Sequence, residues 1–145
     1  MPSIFLLLLL TILVVLSGFL SGSETAITAT SKARILYKKK KGSRRAKYVL
    51  ELLDKKDNVI STLLLSNNLV NILASSLATA FFYDIFGVEG IFYATLIMTV
   101  LIVIFAEVLP KTYAINRPNR TALLISPIIY YLNKILFIFV FLINL

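Results

Sequence analysis

Three long stretches without a charged residue constrain this chain more than any other feature of its sequence. They cover residues 1–23, 58–83 and 90–106, and the third continues through Glu107 towards Ile115. A helix rises about 1.5 Å per residue and the hydrocarbon core of a bilayer is about 30 Å thick, so each stretch is long enough to cross it. The pattern predicts an all-α integral membrane protein with three transmembrane helices, at about residues 3–22, 58–83 and 89–115.

The composition agrees with a membrane protein of one domain, residues 1–145. Hydrophobic residues make up 59% of the chain, more than a soluble domain of this length carries. The first apolar stretch has no basic residues before it and no Ala-x-Ala-like cleavage site after it. We therefore interpret it as a retained helix rather than a signal peptide.

The distribution of Lys and Arg predicts the orientation. Eleven of the 15 basic residues lie between Lys32 and Lys56, whereas the loop at residues 84–89 has two acids and no base. The positive-inside rule then puts the amino terminus outside and the carboxyl terminus in the cytoplasm. We expect the membrane to be the cell inner (plasma) membrane. The net charge of +8 follows from this loop bias, so we expect no nucleic-acid partner.

Two further regions are expected to form juxtamembrane or interfacial helices, at about residues 23–50 and 120–145. Residues 25–37 have helical character and are basic enough to attract anionic lipid headgroups, although the lysine run at 38–41 fits a solvated loop equally well. Pro127 and Lys134 interrupt the last apolar region. This favours a helix or helical pair at the interface, with a fourth span as the alternative.

Hydroxyl groups and glycines lie near the inner end of the first span. Ser17 and Ser21 are four residues apart, hence on one helix face, and Gly18 and Gly22 beside them permit either close backbone approach or a break. The pattern Ser21-x-x-Glu24 fits a capping box at the start of a new helix. A capping role for Ser21 does not exclude a role as a ligand.

The second span contains three asparagines within five positions. Asn71 shares a helix face with Asn67, four residues away, and with Asn68, three residues away. One such amide is easily explained as hydrogen-bonding glue between helices. Three of them indicate a binding site, and the spacing leaves open which of the three takes part.

Glu107 is the one acid in the interior of the third span, and an intramembrane carboxylate indicates function. Pro110 lacks an N–H and clashes with the carbonyl four residues back, so it should free the oxygen of Ala106 beside that carboxylate. The alternative interpretation is an ion pair between Glu107 and Lys111, one turn further on.

These polar groups share a depth between the bilayer midplane and its inner face, and all of them are oxygen ligands. The chain has no His and no Cys, which excludes imidazole and thiolate metal sites. A hard cation, Mg²⁺ or Na⁺, fits hydroxyl, amide and carbonyl oxygens with one carboxylate. No second buried acid accompanies Glu107, so we expect no enzyme activity.

Three motifs, SGFLSGSETA, SNNLVNILAS and AEVLPKTYA, resemble the transmembrane domain of the CorC/cyclin-M (CNNM) family. The resemblance implies a homodimer with three spans that transports Mg²⁺ outwards, and Na⁺ is a candidate coupling ion. It also implies cytoplasmic CBS-pair domains beyond the carboxyl terminus. ATP would be a partner only through those domains, which are absent from this chain.

The resemblance also implies a metal site. Its positions here are Ser17, Ser21, Asn68, Asn71, Ala106 through its carbonyl, and Glu107. Family members often have a glycine where this chain has Ala106, which reduces the backbone freedom beside the carboxylate. The competing hypothesis is a dimeric membrane anchor for cytoplasmic regulatory domains, in which the same polar groups only hold helices together.

Overall fold

The computed structural model describes residues 2–143, and the regular elements in that range are all helices. The prediction of an all-α fold is confirmed, while Met1, Asn144 and Leu145 lie outside the described residues. Between residues 2 and 143, six helices follow one another: α1 (Pro2–Ala29), α2 (Lys32–Lys40), α3 (Arg44–Asp54), α4 (Lys56–Phe86), α5 (Glu89–Asn116) and α6 (Pro118–Ile143). The middle of α5, Leu101–Val108, is π-helical.

Three of these helices are long and apolar enough to cross a membrane, which confirms the three predicted spans. They are Ile4–Ala29 within α1, the whole of α4 and the whole of α5, and an 18-residue window in each has a mean hydropathy of 2.8, 1.5 and 2.4, respectively. α4 begins two residues before the predicted span and ends three after it. Among the described residues, α6 does not belong to this group.

The first helix continues beyond its expected end. The prediction of a helix break with a capping box at Ser21 is wrong, because α1 runs through Ser21 and Gly22 to Ala29. The chain breaks instead at Thr30 and Ser31, where the Ser31 hydroxyl accepts a hydrogen bond from the Arg34 N–H and caps α2. The surface helix expected at residues 25–37 is therefore divided between the end of α1 and α2.

One compact unit combines α1 up to Ser21 with Ser66–Pro110. Its α4–α5 turn depends on two glycines for different reasons. Gly87 has a φ of +74°, a conformation that L side chains rarely adopt. Gly90 has ordinary helical geometry, but a Cβ there would overlap the Phe82 carbonyl. The two spans can approach closely at this turn only because Gly90 has no side chain.

A second unit combines Gly22–Leu65 with the chain from Lys111 onwards, and its core joins α3 to α6. The buried residues of this core are Ala26, Ile35, Ala46, Val49, Leu50, Ala114 and Ala122. Asn119 fastens the α1–α2 break, since its Oδ1 accepts from the Thr30 hydroxyl at 2.7 Å and from the Ser31 N–H at 2.8 Å.

Pro127 lies inside α6 without ending it. A proline removes the hydrogen bond to the carbonyl four residues back, here that of Leu123. The Ser126 hydroxyl donates to this carbonyl at 2.9 Å, and Arg45 Nη1 approaches it at 3.4 Å. Side chains thus replace the missing N–H, so the last region is one helix rather than a pair.

The two glycines of the α4–α5 turn should respond differently to the same substitution. Asn tolerates positive φ, so Gly87→Asn should change the free energy of unfolding by no more than about 1 kcal/mol. Gly90→Asn adds a Cβ where the Phe82 carbonyl lies and should cost more than about 3 kcal/mol. Unfolding of the detergent-solubilised chain, followed by circular dichroism, compares them; equal losses would contradict the packing argument.

Asn119 should stabilise the second unit more than its exposed neighbour Asn116 does. Asn119→Ala leaves the Thr30 hydroxyl and the Ser31 N–H without their acceptor, and we expect a loss of about 1–3 kcal/mol. Asn116→Ala is the matched control and should change the free energy of unfolding by less than about 0.5 kcal/mol. The argument fails if the two variants unfold at the same denaturant concentration.

Candidate metal site

A buried hydrogen-bond network joins α1 to α4. Ser17 and Ser21 lie one turn apart on α1, and Asn67 and Asn71 lie one turn apart on α4. Ser17 Oγ lies 2.8 Å from Asn67 Oδ1 and also within hydrogen-bonding distance of Asn71 Oδ1. Asn67 Nδ2 donates to Ser21 Oγ at 3.0 Å. Because the spacing is four residues on both helices, the two polar faces match turn for turn.

Around the Ser17 hydroxyl there are more acceptor oxygens than protons. The Ser17 hydroxyl has one proton, yet the amide oxygens of Asn67 and Asn71 both approach it. In this arrangement one amide oxygen has no donor from Ser17, although the serine is only 1% exposed. A cation would satisfy all three oxygens. A half-turn of the Asn71 amide would instead place its NH₂ against Ser17 and close the network without an ion.

Asn68 lies on another side of α4. Its side chain is exposed, whereas Asn67 is 8% exposed and Asn71 is half-buried. The structure therefore brings Asn71, Ser17 and Ser21 together with Asn67, and it leaves Asn68 outside their network. Asn67 is absent from the ligand set that the family resemblance implies. The matched four-residue spacing of the serine and asparagine pairs is the sequence signal that points to it.

The backbone of α5 packs closely against Gly18, next to Ser17. A Cβ on Gly18 would lie 3.3 Å from the Phe105 carbonyl oxygen, 3.2 Å from Pro110 Cγ and 3.7 Å from Ala106 Cα. The first two distances are tight enough that Phe105 or Pro110 would have to shift by a few tenths of an ångström, whereas the third is ordinary van der Waals contact. Gly18 thus permits close approach of α5 at the level of the serine pair.

The π-helical segment changes which carbonyl Pro110 frees. The Leu109 N–H bonds to the Ile104 carbonyl, five residues back. If the same five-residue spacing continued, an N–H on residue 110 would bond to the Phe105 carbonyl, which faces Gly18. Pro110 has no N–H, so this carbonyl loses its helical donor. The expectation of a free Ala106 oxygen assumed α-helical spacing. The geometry adds the Phe105 oxygen to the candidate ligands, with buried Ala106 adjacent.

Glu107 follows Ala106 directly and is half-buried. Its carboxylate makes no hydrogen bond or ion pair with any residue that the structure describes. The one ion pair among all the described residues joins Lys32 to Asp54. No group of three or more acidic side chains occurs in the described range. A cation in this unit would therefore depend on hydroxyl, amide and carbonyl oxygens around a single carboxylate.

Comparison with known proteins identifies the family. Residues 8–145 match the family described as cyclin M transmembrane N-terminal domain. The chain is 41% identical over 131 residues to UPF0053 inner membrane protein YfjD of Escherichia coli (strain K12), covering 83% of this chain and 31% of that protein. It is 36% identical over 140 residues to a UPF0053 protein of Haemophilus influenzae, covering 97% and 33%.

A chloroplastic DUF21 domain-containing protein of Arabidopsis thaliana is 30% identical over 130 residues, covering 90% of this chain and 20% of that protein. The chain spans about a third of the length of the two bacterial relatives. The family match nevertheless covers almost all of it. The chain therefore belongs to the CNNM family, as a transmembrane N-terminal domain.

Proposed function

We propose that this domain transports Mg²⁺ out of the cell across the plasma membrane. The observation that carries the proposal is the surplus of acceptor oxygens around buried Ser17, where two amide oxygens compete for one proton. Unsatisfied buried acceptors cost free energy, and a cation removes that cost. A transport domain without enzyme activity is the class of protein that this arrangement supports.

The proposed ligands come from the three spans of one unit. They are the hydroxyls of Ser17 and Ser21, the amides of Asn67 and Asn71, the backbone oxygens at Phe105 and Ala106, and the carboxylate of Glu107. One carboxylate is too few for a tight Ca²⁺ site, whereas Mg²⁺ commonly uses one or two. Na⁺ can bind to the same oxygens and needs less negative charge from its ligands than Mg²⁺ does. It is the candidate coupling ion.

Transport also requires that the ion can leave. A site between packed helices releases its ion when the helices move and open the cavity to the other side. Close packing at Gly18 makes such a movement sensitive to small changes in α5. We propose that the amino terminus lies outside the cell, so that the basic segments lie on the cytoplasmic side.

A homodimer is part of the proposal, and Asn68 is our candidate for its interface. This amide is exposed on α4 within a membrane span, where lipid offers it no hydrogen bond. The same residue of a second copy would supply one across a two-fold axis. We therefore assign Asn68 to self-association and Asn67 with Asn71 to the ion.

The competing function is a dimeric anchor without transport. It is favoured by the ease with which a half-turn of the Asn71 amide completes the network by hydrogen bonds alone. In that case the polar groups stabilise helix packing and bind no ion. The two functions differ in whether the domain binds and transports Mg²⁺.

Neutralising the one carboxylate of the proposed site should abolish function. Glu107→Gln should weaken Mg²⁺ binding by at least about tenfold and stop Mg²⁺ flux from proteoliposomes, because the ion loses its charge partner. Glu89→Gln makes the same change at the exposed start of α5 and is the matched control. Calorimetric titration with Na⁺ and Ca²⁺ as competitors measures binding; normal transport by Glu107→Gln would exclude the site.

The asparagines should separate binding from assembly. Asn71→Ala should weaken Mg²⁺ binding by about tenfold while the domain still dimerises, since it removes an oxygen from the network. Asn68→Ala should leave Mg²⁺ binding intact and weaken dimerisation, because it removes the exposed amide. Titration and analytical ultracentrifugation in detergent measure the two properties. Loss of dimerisation in both variants with no Mg²⁺ binding in the parent chain would favour the anchor.

A further inference from the structure

A small pocket in the second unit lies outside the proposed ion site. It has a volume of about 180 Å³ and lies between the end of α3 and the middle of α6. Its lining combines charged, aromatic and amide side chains with one aliphatic side chain: Glu51, Leu52, Asp54, Lys55, Tyr130, Asn133 and Lys134. Nothing in the ion-transport proposal uses these residues.

The side-chain oxygen of Asn133 is a buried acceptor without a hydrogen-bond donor among the described residues. Its side chain is only 7% exposed, and its Oδ1 has no partner among the residues that the structure describes. An unpaired buried acceptor costs about 1–3 kcal/mol. A ligand that carries N–H or O–H groups would remove that cost, so the pocket favours ligands with a hydrogen-bond donor.

The charges around the pocket balance. Glu51 and Asp54 supply two carboxylates, and Lys55 and Lys134 supply two ammonium groups. Asp54 shares its charge with Lys32 at 3.9 Å, but both side chains are mostly exposed and such a pair is weak. A purely anionic ligand would meet two carboxylates here. A zwitterion with separate cationic and anionic groups fits the balance.

The surroundings of the pocket are typical of the membrane interface. Tyr48 lies 5.0 Å from Tyr130 and 6.4 Å from Tyr131 between ring centroids, and Lys134 Nζ lies 4.6 Å from the Tyr130 centroid. Clustered tyrosines with a lysine mark the headgroup level. Beyond Lys134, α6 exposes large apolar side chains: Ile135, Ile138, Phe139, Phe141, Leu142 and Ile143. Acyl chains would find an apolar surface directly beside the pocket.

We propose that this pocket binds phosphoethanolamine, as the headgroup of a phospholipid. The primary ammonium donates to Asn133 Oδ1 and faces the carboxylates of Glu51 and Asp54. The phosphate pairs with Lys55 and Lys134, which bind it as point charges. A choline headgroup carries no N–H, so it cannot satisfy Asn133. The pocket therefore selects between two zwitterionic headgroups by the presence of a donor.

The test uses the full chain in detergent with added dioleoyl lipids that carry ethanolamine, choline or glycerol headgroups. Native mass spectrometry should show at least tenfold tighter binding of the ethanolamine lipid than of the choline lipid. Equal binding of the two would overturn the proposal, and so would preferential binding of the anionic glycerol lipid. Competition by soluble O-phosphoethanolamine would assign the pocket to the free compound as well as the lipid headgroup.

Two variants connect any selectivity to the pocket. Asn133→Leu should remove the preference for ethanolamine and, without lipid, leave the chain at least as stable, because the unpaired amide is gone. Lys134→Gln should weaken binding of the ethanolamine lipid, whereas Lys47→Gln, an equal charge change at an exposed position of α3, should not. If Asn133→Leu fails to fold, the comparison of Lys134→Gln with Lys47→Gln still decides; unchanged affinity of Lys134→Gln for the ethanolamine lipid contradicts the assignment. Mg²⁺ binding is expected to be unaffected by any of these variants.

Discussion

The exclusion of water from the bilayer core is the constraint on which the rest of this structure depends. Each polar group inside a span must find a partner within the protein. Two prolines, one in α6 and one in the third span, show two outcomes for a helix carbonyl that loses its donor. Pro127 deprives the Leu123 carbonyl of its helical donor, and the Ser126 hydroxyl replaces it. In the π register of α5, Pro110 deprives the Phe105 carbonyl, and no described side chain donates to that oxygen. The first proline is structurally compensated, whereas the second leaves an acceptor that faces Gly18.

The three spans follow from charge-free length alone, because the cost of a charge in hydrocarbon exceeds any local preference. Local signals failed where tertiary contacts occupied the side chain that carried them. Ser21 resembles a helix cap, but Asn67 donates to its hydroxyl in the buried interior, so α1 continues past it. Ser31, with no such competitor, caps the next helix. A capping motif predicts a helix start only when its hydroxyl is free to cap.

The candidate site was predictable in its chemistry and less so in its geometry. Hydroxyls, amides and one carboxylate at a common depth can be recognised from spacing and span position. The choice among asparagines could not be made, since Asn71 shares a face with both Asn67 and Asn68 and only the packed serine pair distinguishes them. The freed carbonyl moved by one residue because the π-helical register depends on how α5 packs, which a single sequence does not encode locally.

The same network can act as a set of ligands and as interhelical glue, and transport requires both. When a cation leaves a buried site, its oxygens lose their charge partner in a low-dielectric medium, which would make release costly. Rotation of the Asn71 amide offers a way to limit that cost, because it exchanges an acceptor for a donor against Ser17. A hydrogen bond between Asn71 and Ser17, worth about 1 kcal/mol, then holds α1 and α4 together when no ion is bound. The two candidate functions therefore differ only in whether ion coordination outweighs this bond.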